Sequence, residues 1–249
     1  MSSPRPTPRW PLPRVFAHRC GGALAPENTL AGLRVTAAMG FRAVEFDVML
    51  SASGSPWLIH DEMLDRTTNG RGNVSETSDA VLRTLDAGGH QHAAFTGEPL
   101  PSFAAAAALC RELGLVANVE IKPAPGFEAI TGEIVAKDIV KLWRGAPLPL
   151  VSSFSEVALA AARHVVPTLP MGCLWEHIPA DWRDRLDALG AATLHCAADA
   201  LDDVLLCEAN ASGIPVLCYT VNQRPFAESL FARGVCSVFS DRIDLLAGM

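Results

Sequence analysis

Five residues have the types and the spacing that proton transfer beside a metal ion requires. His18 and His60 can each take up or release a proton near neutral pH. Glu45 and Asp47 are separated by one residue in an apolar run, so on a strand their side chains point to the same face. Glu120 stands in a second apolar run further along the chain. The five together predict a hydrolytic site that binds a cation.

The three carboxylates form an all-oxygen ligand set. Two carboxylates on one strand face repel each other unless something cationic lies between them. In the second run, Asn118, Glu120 and Lys122 alternate with apolar residues and share the polar face. No cysteine adjoins the carboxylates in the sequence, so the set suits one hard divalent cation, Mg²⁺ or Ca²⁺, better than zinc. Arg19 and Lys122 are then available to an anionic substrate.

These residues belong to a series of short motifs that runs nearly from end to end of the chain. The series resembles the glycerophosphodiester phosphodiesterase family, and most closely its bacterial cytosolic form associated with glycerol 3-phosphate uptake. The motifs are His18-Arg19, Ala25-Pro26-Glu27-Asn28-Thr29, Glu45-Phe46-Asp47, Leu58-Ile59-His60-Asp61, Leu64-Asp65-Arg66-Thr67-Thr68-Asn69-Gly70, Gly97-Glu98-Pro99-Leu100-Pro101, Asn118-Val119-Glu120-Ile121-Lys122, Tyr219-Thr220-Val221-Asn222 and Ser240-Asp241.

The resemblance implies metal-dependent hydrolysis of a glycerophosphodiester to sn-glycerol 3-phosphate and an alcohol such as choline or ethanolamine. It implies His18 as the base and His60 as the acid, although the sequence fixes neither that order nor whether water or the glycerol hydroxyl attacks first. The metal ligands that it implies are Glu45, Asp47 and Glu120. The expected substrate contacts are Arg19, Lys122, Glu27, Asn28 and Tyr219.

One position departs from the family pattern, which usually has glycine after His-Arg. This chain has Cys20 there, followed by Gly21 and Gly22, so the turn can still form. We interpret Cys20 as a tolerated substitution and not as a nucleophile.

Several assignments have a plainer alternative. Glu27 and Asn28 precede a predicted helix and could simply cap it. His195 could line a substrate pocket or be a hydrogen-bonded strand histidine. His90 and His92 form a His-x-His pair, but they lie in a polar segment without carboxylate partners nearby, so we interpret them as exposed loop residues.

Apolar runs alternate with helical stretches along the chain, which predicts a parallel α/β fold. Eight such units in a chain of 249 residues indicate a closed (β/α)8 TIM barrel. Barrel enzymes carry their chemistry at the carboxyl ends of the strands, where the motifs fall. The predicted strands are 15–18, 43–50, 115–121, 148–152, 169–174, 193–196, 215–221 and 235–240. The predicted helices begin near Thr29, Ser102, Phe127, Ser155, Ala180, Ala200, Pro225 and Ile243.

The domain organisation is predicted to be one barrel over residues 1–249. A polar, glycine-rich segment of about 61–98 breaks the alternation and is too long for a connection, so we interpret it as a small insertion after the second strand that covers the barrel mouth. Residues 1–12 are proline-rich without an apolar core, which predicts a disordered lead-in and not a signal peptide.

Composition narrows the compartment and the partners. The net charge of −7 and the absence of a Lys/Arg cluster argue against nucleic acid or an anionic membrane surface, which leaves a small molecule as the partner. Seven widely spaced cysteines without a Cys-x-x-Cys pair indicate free thiols in a reducing compartment, the cytoplasm.

Two rival functions remain. A non-catalytic phosphate-ester binding barrel would not need both histidines, and a lysophospholipase D-like or sphingomyelinase D-like enzyme would need an exposed apolar surface, which the sequence does not reveal.

Overall fold

Eight parallel strands form a closed barrel in the computed structural model, which describes residues 11–249. Closure is direct, because the first strand pairs with both the second strand (Ala17 with Val44) and the last (Val15 with Val238). The prediction of a (β/α)8 barrel is confirmed. The parallel strands are β1 (Val15–Ala17), β2 (Ala43–Leu50), β4 (Val116–Ile121), β5 (Leu150–Ser153), β6 (Met171–Trp175), β7 (Thr193–Ala197), β8 (Val216–Tyr219) and β9 (Ser237–Ser240); β3 (Pro56–Leu58) is antiparallel.

Helices surround the barrel, and four of the eight described begin at a short polar side chain that caps them. Thr29, Ser102, Ser155 and Asp202 each accept a hydrogen bond from a backbone N–H three residues further on, which satisfies a donor that the first helical turn leaves free. The helices are α1 (Leu30–Ala38), α2 (Asp79–Leu82), α3 (Phe103–Leu113), α4 (Glu128–Leu142), α5 (Glu156–Val165), α6 (Trp182–Leu189), α7 (Asp203–Ala211) and α8 (Arg224–Arg233).

Three predicted helix starts needed correction. The helix expected near Ala180 begins at Trp182, and the one expected near Ala200 begins at Asp203, because Asp202 is the residue whose side chain caps it. The segment expected to begin a helix near Ile243 forms only a 3₁₀ turn over Ile243–Leu246.

The excursion between β2 and α3 is longer than the sequence predicted. It leaves the barrel at Ser51, returns at Ser102 and contains β3 and α2, neither of which was predicted. β3 is only three residues long and starts with a proline, so it lacks the run of alternating residues that identifies a strand. The segment has an apolar cluster of its own, formed by Met49, Trp57, Ile59, Leu64, Val74, Leu82, Leu85, Ala87 and Leu100.

Large side chains close the interior of the barrel below the mouth. Phe16 and Phe239 are buried there with ring centroids 5.3 Å apart. His195 is fully buried beside Phe239 and pairs with the Thr193 hydroxyl at 2.9 Å. It is therefore the hydrogen-bonded strand histidine of the two alternatives. Gly172 on the neighbouring strand leaves room for this ring, because a Cβ there would lie 2.6 Å from His195 Nε2.

The first described residues already pack against the barrel. Of the predicted lead-in, residues 1–10 lie outside the described part of the chain, whereas Leu12 is partly buried against the interior cluster that contains Phe16. Within residues 11–249, no helix has both the length and the apolar character that crossing a membrane requires.

A close crossing between α4 and α5 fixes the two helices that follow the site-bearing strands β4 and β5. A Cβ added at Gly132 would lie 2.1 Å from the backbone oxygen of Ala158, and backbone atoms cannot move aside as a side chain can. We expect Gly132→Ala to lower the free energy of unfolding by about 1–3 kcal/mol, the scale of overpacking. The same change in an open helix raises it by about 0.5–1 kcal/mol.

Urea unfolding of Gly132→Ala measures the effect. Glu133→Ala is the control, because Glu133 lies on the same helix and makes only an exposed ion pair with Lys137; its change should stay within about 0.5 kcal/mol. An increased unfolding midpoint for Gly132→Ala would show that the helix crossing is not close.

Candidate active site

The predicted site residues meet at the carboxyl end of the barrel. Asp47 on β2 is the register partner of Glu120 on β4, so their side chains project from neighbouring strands at one level. A cavity of about 240 Å³ opens above them. Its lining comprises His18, Arg19, Glu45, His60, Asn118, Glu120, Lys122, Phe154, Leu174, Tyr219, Thr220 and Phe239.

Three carboxylates form a buried cluster here: Glu45 and Glu120 line the cavity, and Asp47 lies beside them. One oxygen each of Glu45, Asp47 and Glu120 lies within 4.8 Å of the others, a span that oxygens around a single cation have when metal–oxygen distances are about 2.0–2.6 Å. Glu45 Oε1 is buried and accepts no hydrogen bond from the described residues. The donor set is all oxygen. The cluster therefore fits a hard divalent cation.

Burial and mutual repulsion control the protonation of this cluster. Burial, followed by the charges of Asp47 and Glu120, raises the pKa of Glu45 well above its ordinary value. Burial and Asp47 raise the pKa of Glu120 to about 7. Burial acts on Asp47 in the same direction, but Lys122, His60 and Arg19 outweigh it and lower the pKa of Asp47. Without a cation, the cluster thus cannot hold three full charges.

Asn28 holds Asp47 in place. Its side-chain Nδ2 donates to Asp47 Oδ2 at 2.8 Å, and its Oδ1 accepts from the Asp47 backbone N–H at 3.0 Å. Asn28 adopts a left-handed backbone (φ 55°), which asparagine tolerates better than most residues. The helix is capped by Thr29 and not by Glu27 or Asn28, so the capping alternative for these two residues is wrong.

The loop after β1 wraps around Glu45. The backbone N–H of Arg19 donates to Glu45 Oε2 at 2.9 Å, and Arg19 and Cys20 both adopt positive φ angles of 50° and 75°. Glycine would adopt this conformation without strain, whereas the side chain of Cys20 makes the same positive φ angle less favourable. Its side chain fits because Gly32 on α1 leaves room: a Cβ there would lie 2.9 Å from Cys20 Cβ.

Cys20 is not placed to act as a nucleophile. Its side chain is fully buried, and burial raises the pKa of the thiol well above its ordinary value. A thiol that is both buried and protonated is inert.

Each histidine is anchored by a carboxylate that the site prediction omitted. His18 Nδ1 lies 2.7 Å from Asp241 Oδ1, which leaves Nε2 facing the carboxylate cluster, 3.9 Å from Glu45 Oε2. Asn222 fixes the Asp241 loop, because its Oδ1 accepts from the Asp241 backbone N–H at 2.8 Å. The signal was present in the sequence, since Asp241 and Asn222 both belong to motifs that resemble the family.

His60 lies between a carboxylate and an ammonium group. Its Nδ1 is 2.6 Å from Asp61 Oδ1, and its Nε2 is 2.7 Å from Lys122 Nζ. Burial lowers the pKa of His60; the charge of Asp47 acts against this, and that of Lys122 adds to it. Lys122 in turn is 3.3 Å from Glu120 Oε1 and 3.6 Å from Asp47 Oδ1.

Arg19 is a second cation of the site, and Glu27 is its carboxylate partner. Arg19 Nη1 lies 3.2 Å from both oxygens of Glu27, and its Nε is buried with no hydrogen-bond partner among the described residues. Glu27 also binds Arg66 of the insertion. Glu27 is therefore in a position to hold the Arg19 guanidinium in place.

Tyr219 contributes its ring to the cavity. Its hydroxyl donates to the backbone oxygen of Trp175 at 3.1 Å, and its ring meets Phe154 edge-on with centroids 6.0 Å apart. Burial raises the pKa of Tyr219, so the hydroxyl stays protonated. The expected substrate contact would thus be with the ring.

The His-x-His pair lies at the edge of the site. His90 and Gln91 line a second groove of about 530 Å³ that shares His18 and Arg19 with the cavity. Gln91 Nε2 donates to the backbone oxygen of Ala23, which ties the insertion to the loop after β1. His92 Nδ1 accepts from a backbone N–H in its own turn. The two histidines are exposed loop residues, as interpreted from the sequence.

A closed (β/α)8 barrel with titratable groups gathered at the carboxyl ends of its strands has the architecture of a barrel enzyme. The chain matches the glycerophosphoryl diester phosphodiesterase family over residues 18–245. A glycerophosphodiester phosphodiesterase of Caldanaerobacter subterraneus is 29% identical over 240 residues, 94% of this chain and 96% of that protein.

Solved structures agree with the sequence comparison. A phosphodiesterase of Oleispira antarctica, in complex with the product sn-glycerol-3-phosphate, has a TM-score of 0.89 at 36% identity and covers 93% of this chain and 94% of its own. A glycerophosphodiester phosphodiesterase of Agrobacterium tumefaciens has a TM-score of 0.78 at 26% identity and covers 96% and 100%. The chain belongs to the glycerophosphodiester phosphodiesterase family, so the resemblance of the motifs is confirmed.

The role of the Asp241 carboxylate beside His18 can be tested by substitution. In Asp241→Asn the ring keeps a hydrogen-bond partner but loses the charge that stabilises its protonated form. We expect turnover to fall by roughly 10²- to 10⁴-fold, the scale of general acid–base catalysis, with little change in the unfolding midpoint. Steady-state kinetics on glycerophosphocholine measure the effect.

Asp244→Asn is the matched control, because Asp244 is the next acidic residue along the chain and its ion pair among the described residues is with Arg242, away from the histidines. It should retain native turnover. Equal activity in the two variants would show that Asp241 has no role in the reaction.

Proposed function

We propose that the protein hydrolyses glycerophosphodiesters to sn-glycerol 3-phosphate and a free alcohol, with one divalent hard cation, Mg²⁺ or Ca²⁺, in its site. The observation that carries the proposal is the cavity in which two carboxylate-anchored histidines face a buried cluster of three further carboxylates. Membership of the family supports it, as does the product bound in the Oleispira antarctica structure.

Glu45, Asp47 and Glu120 would hold the cation. When bound, such an ion supplies Lewis acidity toward a phosphoryl oxygen and lowers the pKa of a bound hydroxyl. Arg19 and Lys122 offset charge on the remaining phosphoryl oxygens.

The two histidines divide the proton transfers. His18 accepts the proton of the nucleophile, and Asp241 stabilises the imidazolium that forms. His60 protonates the departing alkoxide, since an alcohol of high pKa leaves poorly as an anion. Asn28 orients Asp47, while Glu27 and Tyr219 shape the substrate side.

The cytoplasm is the proposed location. All seven cysteines are free thiols, and a reducing compartment keeps them so. The net charge of −7 supports a small-molecule partner over nucleic acid or an anionic membrane surface.

Apolar side chains at the mouth favour a second candidate, a lysophospholipase D-like activity. The sequence revealed no exposed apolar surface, but Phe127, Ile130, Phe154 and Val157 are about half exposed around the starts of α4 and α5. Their exposure depends on the tertiary packing of two loops, which sequence patterns do not report. Side-by-side turnover of glycerophosphocholine and lysophosphatidylcholine separates the candidates; we expect the first to be faster.

Removal of the metal tests the carboxylate cluster. Without a bound metal ion, burial and mutual repulsion favour the protonated forms of Glu45 and Glu120, so dialysis against chelator should abolish turnover, and Mg²⁺ or Ca²⁺ should restore it. Phosphate-ester turnover before and after each addition is the measurement. Full activity in the metal-free protein would contradict the cofactor assignment.

The histidines test catalysis against simple binding. Replacing His18 or His60 with Ala should lower turnover by roughly 10²- to 10⁴-fold. Glycerol 3-phosphate should still bind His60→Ala with near-native affinity, because the carboxylate cluster, Arg19 and Lys122 remain. Native turnover in both variants would favour the non-catalytic binding barrel.

A substrate with a good leaving group assigns the two roles. A p-nitrophenolate group departs without protonation, so a nitrophenyl diester should partly rescue the variant that lacks the acid and not the one that lacks the base. We expect rescue of His60→Ala. Rescue of His18→Ala instead would reverse the assignment.

A further inference from the structure

Arg66, a residue of the insertion outside the expected site, binds two carboxylates that each hold a different part of the site. Its Nη1 and Nη2 donate to the two oxygens of Glu27 at 2.8 and 2.7 Å, and its Nε donates to Asp61 Oδ2. All three nitrogens of the guanidinium are therefore engaged. Such paired, charge-assisted hydrogen bonds are stronger and more directional than ordinary ones.

The Glu27 end of the contact bears on Arg19. Both oxygens of Glu27 are closer to Arg66, at 2.7 and 2.8 Å, than to Arg19 Nη1, at 3.2 Å each. The charge of Glu27 is thus shared, and its better hydrogen bonds go to the insertion. Arg19 keeps a buried Nε without a partner among the described residues. The Arg19 side chain is 22% exposed, so its guanidinium is held in place and can still be reached by an anion.

The Asp61 end bears on His60. Asp61 Oδ2 accepts from Arg66 Nε, while its Oδ1 lies 2.6 Å from His60 Nδ1. Each oxygen of this carboxylate therefore has its own partner, and the ring plane of His60 depends on where Asp61 is held. A histidine that must deliver a proton along one direction needs such an anchor.

We propose that Arg66 is a positioning residue that keeps Arg19 free for the phosphoryl group and orients His60 through Asp61. The inference rests on the proposed function and extends it, because it makes the insertion a working part of the phosphodiester site. The side chain of Arg66 is about half exposed (47%), so solvent screens its ion pairs. Arg66 therefore contributes more to the geometry of Glu27 and Asp61 than to the stability of the fold.

Removing Arg66 should have two separable effects. In Arg66→Ala the whole charge of Glu27 is left to Arg19. Glu27 then competes more strongly with phosphate for the Arg19 guanidinium. Asp61 also loses the partner that fixes it, so His60 is no longer aimed. The first effect weakens binding, and the second slows turnover.

A binding experiment tests the first effect without relying on turnover. Calorimetric titration of glycerol 3-phosphate in the presence of Mg²⁺ should give a Kd raised roughly 10-fold in Arg66→Ala, the scale expected when a positioning contact is lost. Adding Glu27→Gln to Arg66→Ala keeps a side-chain oxygen that can hold Arg19 but removes the negative charge that competes with phosphate, so the Kd should return most of the way to native. A Kd unchanged in Arg66→Ala, or unrecovered in the double variant, would overturn the proposal.

Kinetics on glycerophosphocholine test the second effect. Turnover (kcat) should fall roughly 10- to 100-fold in Arg66→Ala and should stay low in the double variant, because Glu27→Gln does nothing for Asp61. Arg66→Lys, which carries the charge but cannot bind both carboxylates at once, should fall between native and Arg66→Ala. Recovery of kcat together with Kd in the double variant would contradict the separate Asp61 route.

Arg71→Ala is the control within the same insertion. Arg71 pairs only with Asp65, and its side chain is 87% exposed, so its loss should leave Kd and kcat native. Equal losses in Arg71→Ala would mean that the insertion as a whole is perturbed and Arg66 is not special. Turnover of glycerophosphocholine by the unmodified chain tests the proposed function independently, so a failure of either idea can be recognised.

Discussion

Repulsion among three buried carboxylates is the constraint on which the rest of the site depends. Glu45, Asp47 and Glu120 project from two paired strands into one cavity, and burial alone would drive them to take up protons. Cations must therefore converge on the same place. Lys122 and Arg19 do so in the described structure, and the remaining geometry fits a divalent ion. The positive charge of Arg19 and Lys122 at the mouth meets this electrostatic requirement.

A second layer of polar contacts turns these groups into a defined geometry. Asn28 makes two hydrogen bonds to Asp47, and Asp241 and Asp61 each hold one histidine by its Nδ1. The contact between His18 and Asp241 joins loops at opposite ends of the sequence. His18 and Asp241 are 223 positions apart, yet they lie side by side because β1 and β9 are neighbours in the closed barrel. Barrel closure is thus what makes the histidine–carboxylate pair possible.

The substitution at Cys20 shows how an added side chain is accommodated. A positive φ angle suits glycine, but the loop keeps its shape with a cysteine because Gly32 on α1 provides the space that the extra side chain fills. The backbone N–H of Arg19 still reaches Glu45. A departure from the family pattern at one position is in this way matched at a helix position twelve residues away in the chain.

The sequence by itself determined the eight parallel strands, the carboxylate pair on β2, its third member on β4, and the family. These features are local: alternation along a strand and short motifs are legible without knowing what lies opposite. Only the tertiary structure decided that Asn28 orients Asp47, that Asp241 anchors His18, and that Arg66 joins the insertion to both sides of the site. Such contacts depend on which loops barrel closure and insertion packing bring together, and no periodicity in the chain records that.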